Sequence, residues 1–257
     1  MSAARGHFTW YELMSSDPAG SAAFYPPITG WGTQKFDGPM DYTMWVNGAA
    51  PMGGLMQLPA EAVAMGAPTH WVGYIDVASV DATAARAIEL GAKSYVPPTD
   101  IPGAGRFSVL ADPTGAVFAI YQSTQTDQPA PPQPTPAGAM SWHELYAGDL
   151  ETAWTFYTTL FGWQKIDEMA SPMGPYRMFA PTPGAPVGGM MTRPAEMPMS
   201  AWLFYIHVAD LEGAMAAAQA AGGKVLNGPM DVPGGDRIVQ MMDKQGGMFA
   251  LHAAKPS

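Results

Sequence analysis

Two stretches of this chain are near copies of each other, and that duplication constrains the fold more than any motif within it. Residues 9–31 read TWYELMSSDPAGSAAFYPPITGW and residues 141–163 read SWHELYAGDLETAWTFYTTLFGW. In register, Trp10 meets Trp142, Glu12 meets Glu144, Asp17 meets Asp149, Tyr25 meets Tyr157, Gly30 meets Gly162 and Trp31 meets Trp163. The register returns downstream at Trp71/Trp202, Tyr74/Tyr205, Arg106/Arg237, Asp112/Asp243, Gly115/Gly246 and Phe118/Phe249. The chain is therefore two homologous halves, about 8–121 and 141–252.

Between them, residues 124–139 (TQTDQPAPPQPTPAGA) hold five prolines and no aliphatic side chain larger than alanine. Such a stretch buries no core and is expected to be an extended, semi-rigid spacer. The expected division is residues 1–123, a linker at 124–139, and residues 140–257, each half large enough for its own core.

Composition removes several classes. Hydrophobic residues make up 47% of the chain and charged residues 13%, with a net charge of −10. There is no basic cluster, so nucleic acid is not an expected partner. No apolar run spans a bilayer and MSAARGHFTW carries no signal-peptide core, so the expectation is no membrane and a cytoplasmic location. The absence of cysteine removes disulfide and thiolate chemistry.

Each half reads as strand, helix and three strands, twice over. Asp17 and Asp149 are helix N-caps, with Pro18 suited to the first helical position. Ala153, Phe156, Tyr157, Leu160 and Phe161 form an apolar helical face. In the first half Pro26-Pro27 replaces Thr158-Thr159, which predicts a helix ending about a turn early. Residues 70–78 read as a strand, followed by an alanine-rich helix to Leu90 with Gly91 at its end. Shorter strands are expected at 93–96, 106–111 and 116–121. The fold class is α+β: four βαβββ modules, two per half, with curved mixed sheets around a cleft.

WYELMSSD…FYPPITGW and DIPGAGRFSVLADPTGAVFAIYQ are similar to segments of the vicinal oxygen chelate superfamily, which includes glyoxalases, bleomycin-resistance proteins and extradiol dioxygenases. The likeness runs through nearly the whole chain outside the linker, closest to two-domain, glyoxalase-like bacterial members. It implies a metal held by two histidines and a glutamate at set places. Those places hold Trp10, Val72 and Ala119 in the first half, and Trp142, Leu203 and Ala250 in the second. None coordinates a metal, so no metal and no cofactor are expected there. The resemblance also implies pairing of domains, hence an internal pseudo-dimer, as a monomer or a homodimer.

Strand alternation predicts what faces the clefts instead. The first is expected to hold Trp10, Glu12, Tyr74, Asp76 and Tyr121; the second Trp142, Glu144, Tyr205, His207 and His252. Arg106 and Arg237 are placed at the rims. Glu144, His207 and His252 are the candidate catalytic groups: a carboxylate among aromatic rings suits acid–base work, and imidazole exchanges protons near neutrality. Glu12 and Glu144 have an equally simple structural reading, bonded to Tyr74 or Tyr205 or paired with arginine. Glu144, His207 and His252 are also the residue types of a relocated two-His, one-carboxylate site. His143, His7 and His70 are read as surface or structural.

PGAGR and PGGDR lack the lysine and following helix of a phosphate loop and read as turns. MGGLM (52–56) and VGGMM (187–191) read as strands closely approached by another backbone or a ligand. With 20 methionines, eight tryptophans and ten tyrosines, the expected partner is a small apolar or aromatic molecule. Three functions fit: a metal-independent lyase or isomerase, a non-catalytic binding protein of the antibiotic-sequestering kind, or a metal-dependent lyase or dioxygenase with a relocated site.

Overall fold

The structure, a computed structural model, describes residues 5–37, 42–124 and 135–255. Most of the proline-rich spacer lies outside the described residues.

The first half runs β1 (Phe8–Ser15), α1 (Pro18–Phe24), α2 (Pro26–Thr29), β2 (Gly32–Lys35), β3 (Thr43–Asn47), β4 (Ala50–Gln57), α3 (Ala60–Ala64), β5 (His70–Asp76), α4 (Val80–Glu89), β6 (Lys93–Ile101), β7 (Gly105–Ala111) and β8 (Val117–Ser123). The second runs β9 (Met140–Ala147), α5 (Leu150–Phe161), β10 (Gln164–Ser171), β11 (Gly174–Ala180), β12 (Gly188–Thr192), β13 (Ala201–His207), α6 (Leu211–Ala220), β14 (Lys224–Asp231), β15 (Arg237–Met242) and β16 (Met248–Ala253). The strand orders are β2-β3-β4-β1-β5-β8-β7-β6 and β10-β11-β12-β9-β13-β16-β15-β14. Both eight-stranded sheets are mixed and curved, the same plan executed twice. Four βαβββ modules are present, with the one-turn α3 as an addition that the sequence patterns did not reveal.

The caps work as expected. Asp17 accepts a hydrogen bond from Gly20 N at 2.9 Å and Asp149 from Thr152 N at 2.8 Å. The proline pair ends α1 early, at Phe24, as expected, but Pro26 and Pro27 then open a further short helix, α2. Proline suits a first helical turn because the N–H it lacks would have had no partner there. The helical path therefore breaks and restarts, ending at left-handed Gly30 (φ 77°) as α5 ends at Gly162 (φ 72°).

The described residues pack into two compact units, each drawing one module from each half. One unit comprises Met1–Thr9, Val72–Pro131 and Trp142–Trp202; the other comprises Trp10–Trp71, Pro132–Ser141 and Leu203–Ser257.

In the first unit, Phe118 of β8 packs against Phe156, Tyr157 and Phe161 of α5, with ring centroids 5.9, 5.5 and 6.1 Å apart. Trp163 stacks on Phe179 at 4.2 Å, and Trp202 Nε1 donates to the Tyr157 hydroxyl at 3.0 Å. That hydroxyl faces the Asp112 carboxyl, which also accepts the backbone N–H groups of Thr114 and Ala116.

The second unit repeats the plan. Phe249 of β16 packs against Phe24 and Tyr25, and Trp71 Nε1 donates to the Tyr25 hydroxyl at 3.1 Å. Tyr25 donates in turn to Asp243, whose carboxylate holds the N–H groups of Gln245 and Gly247. Each edge-to-face ring pair adds about 0.5–1.5 kcal/mol beyond its buried area.

Candidate functional site

In the unit containing β9–β12, strand alternation sets Trp142 and Glu144 on one face of β9. β12 runs parallel beside β9, with Gly189 opposite Glu144, and β11 runs antiparallel to β12, with Met178 opposite Gly189. Tyr176 of β11 reaches back across Gly189; a methyl group at that position would overlap its ring. The result is a short relay. Trp142 Nε1 donates to the Tyr176 hydroxyl at 2.7 Å, and that hydroxyl donates to Glu144 Oε2 at 3.0 Å.

The unit containing β1–β4 builds the same group. Trp10 Nε1 donates to the Tyr42 hydroxyl at 3.0 Å, and Tyr42 is hydrogen-bonded to Glu12. A methyl group at Gly54 would overlap the Tyr42 hydroxyl. Hence the strands MGGLM and VGGMM are closely approached by a tyrosine ring as well as by backbone.

Burial holds the Tyr42 and Tyr176 phenols far above their ordinary pKa, and the neighbouring glutamate charge pushes the same way. Both tyrosines therefore stay protonated and donate. Glu12 and Glu144 are buried, at 3% and 7% exposure. A carboxylate has about four acceptor positions, and tyrosine fills one.

Sequence reasoning missed Tyr42 and Tyr176, and offered Tyr74, Tyr205 or an arginine as alternative partners of the glutamates. A signal was present in the repeat of Tyr-x-Met-aromatic at Tyr42-Met44-Trp45 and Tyr176-Met178-Phe179. Tyr74 is buried against Phe107, and Tyr205, only 2% exposed, accepts from Gln240 Nε2 at 2.7 Å.

The other predicted site residues have definite partners. Asp76 is buried and paired with Arg5 Nη1 at 2.7 Å. Tyr121 donates to the Ala104 carbonyl at 2.9 Å. Arg106 binds Asp81 at 2.9 Å and Asp100 at 2.6 Å, and Arg237 binds Glu212 and Asp231. Both guanidiniums are thus engaged by exposed carboxylates.

His207 and His252 lie opposite each other on the parallel pair β13 and β16, with ring centroids 5.5 Å apart. His252 Nδ1 is 3.0 Å from Ser141 Oγ, and its Nε2 is 3.1 Å from Asp236 Oδ2. His143 is structural and buried: its ring stacks on Phe8 at 4.3 Å and its Nδ1 bonds the Val187 carbonyl at 2.7 Å. Burial pushes its pKa down to about 4. His70 bonds the Pro68 carbonyl at 2.7 Å, and burial lowers the pKa values of His70 and His7.

The residues at the superfamily's metal positions do not fit a metal. Val72, Leu203, Ala119 and Ala250 are buried hydrocarbon, and Trp10 and Trp142 give their only side-chain N–H to tyrosine. Among the described residues no group of three His, Asp or Glu side chains is arranged to hold a metal ion. Glu144, His207 and His252 are therefore not gathered into the relocated three-ligand set. Two open depressions, of about 440 Å³ beside Pro113 and Phe156 and about 330 Å³ beside Ile28 and Ala214, contain none of the predicted site residues.

Residues 139–251 match the glyoxalase/bleomycin resistance protein/dioxygenase superfamily, and residues 11–121 match a glyoxalase-like domain. The chain is 29% identical over 257 residues to "Putative glyoxylase CFP32" of Mycobacterium tuberculosis, covering 98% of this chain and 96% of that one. It is 29% identical over 261 residues to the anthracycline biosynthesis protein DauV of Streptomyces sp., covering 96% and 93%. A glyoxylase-like domain-containing protein of Didymella fabae is 36% identical over 94 residues, 35% of this chain and 73% of that one.

In three dimensions the fold is that of homoprotocatechuate 2,3-dioxygenase from Arthrobacter globiformis, with a TM-score of 0.67 at 14% identity and coverage of 98% and 80%. The Mn(II)-bound glyoxalase from Novosphingobium aromaticivorans matches with a TM-score of 0.64 at 15% identity, over 98% and 83%. With both halves matched and the βαβββ module present four times, the chain belongs to the glyoxalase/bleomycin resistance/dioxygenase, or vicinal oxygen chelate, superfamily.

Proposed function

We propose that this protein binds a small, largely apolar or aromatic molecule and acts on it as a lyase or isomerase through Glu144, without a metal at the superfamily position. The observation that carries this reading is the Trp142–Tyr176–Glu144 relay: a buried carboxylate hydrogen-bonded to a phenol that stays protonated, beside an indole able to stack on a planar ligand. Glu144 takes a proton from a carbon next to a carbonyl, and Tyr176 keeps the carboxylate oriented. A carboxylate in this role contributes typically about 10²–10⁴-fold. His207 and His252 belong to the other compact unit and are not part of this set. Trp142 is the proposed ligand-stacking residue beside Glu144, and Trp10 with Glu12 is the equivalent pair in the other unit. The relative named as an anthracycline biosynthesis protein favours a fused-ring aromatic ketone.

A second reading, pure sequestration of such a molecule, is favoured by one observation. The first half builds the same relay from Trp10, Tyr42 and Glu12, as a binding or structural role kept in both copies would require.

One experiment separates the two. Quenching of tryptophan fluorescence by planar aromatic ketones reports binding, and exchange of their α-hydrogens in D2O, with chelator present, reports proton transfer. Saturable quenching with exchange lost in Glu144→Gln supports the lyase or isomerase. Quenching without exchange supports sequestration, and no saturable quenching by any such ketone sinks both.

A further inference from the structure

We propose that Ser141, His252 and Asp236 form a second catalytic centre, in which Ser141 is a nucleophile that hydrolyses small carboxylic esters. The three side chains stand in line within one compact unit, Ser141 Oγ 3.0 Å from His252 Nδ1 and His252 Nε2 3.1 Å from Asp236 Oδ2. Ser141 and His252 are half-buried.

The protonation pattern follows from the partners. Asp236 accepts the Lys255 backbone N–H at 2.9 Å, which with His252 holds its carboxyl below the usual range, so it is ionised and accepts only. His252 Nε2 shares a hydrogen with Asp236, and in the neutral ring the Nδ1 lone pair faces the serine hydroxyl. The Ser141 hydroxyl also donates to the Tyr205 carbonyl at 3.2 Å, and it turns from that carbonyl to give its proton to Nδ1. A serine hydroxyl directed at an imidazole that a carboxylate fixes in one tautomer is the geometry of an activated alcohol, recognised by roles and not by chain order.

The first half shows that this is not a by-product of the repeat. In its register Ser141, Asp236 and His252 become Thr9, Gly105 and Tyr121. There Tyr121 lies over Gly105, where a methyl group would meet its ring at 2.8 Å, and spends its hydroxyl on Ala104. Only the second copy carries the acid, the base and the nucleophile.

In the reaction, Ser141 Oγ bonds to the ester carbonyl carbon while its proton passes to His252 Nδ1. The carbon–alkoxide bond breaks and the alkoxide leaves with that proton. Water then attacks the acyl carbon, gives a proton to His252, and the acid departs as Oγ recovers its hydrogen. This centre does not depend on the role given to Glu144.

The test is incubation of the whole chain with an alkyl fluorophosphonate, followed by intact mass and peptide mapping, alongside p-nitrophenyl acetate hydrolysis. The expected result is one adduct per chain, at Ser141. Ser141→Ala should abolish both signals, His252→Gln should slow labelling about 100-fold or more, and Asp236→Asn about 10-fold, with circular dichroism unchanged. Ser141→Cys, which keeps the volume, should be alkylated by iodoacetamide faster than a free thiol and lose that advantage with His252→Gln. No adduct, an adduct at another residue, or Ser141→Ala labelled at the parent rate overturns the proposal, as does a Ser141→Cys variant whose thiol reacts no faster than free cysteine.

Discussion

The Tyr25 hydroxyl donates to Asp243 at 2.8 Å across 218 positions of chain. Phe24 and Tyr25 bring the α1–α2 junction of the first half onto Phe249 and Asp243 of the second, within one compact unit. The equivalent pair in the other unit, Tyr157 and Asp112, reverses the direction, with a second-half helix on a first-half turn. Tyr25→Phe leaves a buried carboxylate short of a donor and should cost about 1–3 kcal/mol in a denaturant titration. A single cut in the proline-rich linker, at residues 125–134, should leave the halves co-eluting in gel filtration. Halves that separate and stay folded would contradict this packing.

His143 should make the fold acid-sensitive. Its pKa is pushed down to about 4 by burial, against about 6.5 for an ordinary imidazole. Between those values the unfolded chain binds the extra proton, so the stabilisation is complete above pH 6.5 and is lost as pH falls towards 4. The loss is on the order of 3 kcal/mol. Melting temperatures measured from about pH 7.5 to about pH 4 should fall steeply in the parent and much less in His143→Phe. Parallel curves would show that His143 is not the group responsible.

Gly189 tests the relay through backbone space. In Gly189→Ala the new methyl overlaps the Tyr176 ring, so Tyr176 leaves Glu144, at a cost of about 1–3 kcal/mol from overpacking. In Tyr176→Ala the space is open, and adding Gly189→Ala should cost almost nothing more. The double-mutant cycle reads this coupling directly. Additive costs would mean that Tyr176 does not occupy that space.

The two halves should differ in chemistry. His207 stands where the first half has Asp76, and His252 where it has Tyr121, so the imidazoles at these positions belong to the second copy. With the ligand and exchange assays in hand, Glu144→Gln and His252→Ala should impair function much more than Glu12→Gln and Tyr121→Phe. Equal effects from the two pairs would remove the asymmetry.

The sequence alone determined the duplication and the four modules, because these are read from local periodicity, caps and register, while the superfamily and its metal positions came from the likeness of whole segments to known members. Asp17 and Asp149 could be assigned that way, since a cap needs only its own turn. Pro26-Pro27 marked the early end of α1 but not the restart as α2, because proline's effect depends on where a helical turn begins. The partners of Glu12 and Glu144 were set by tertiary structure. Tyr42 and Tyr176 lie far along the chain from the glutamates, and they reach the carboxylates only because Gly54 and Gly189 lack a side chain. Asp76 likewise met Arg5, and His252 met Ser141 and Asp236. A hydrogen bond between residues distant in sequence depends on strand order and register, which a single strand's alternation does not encode.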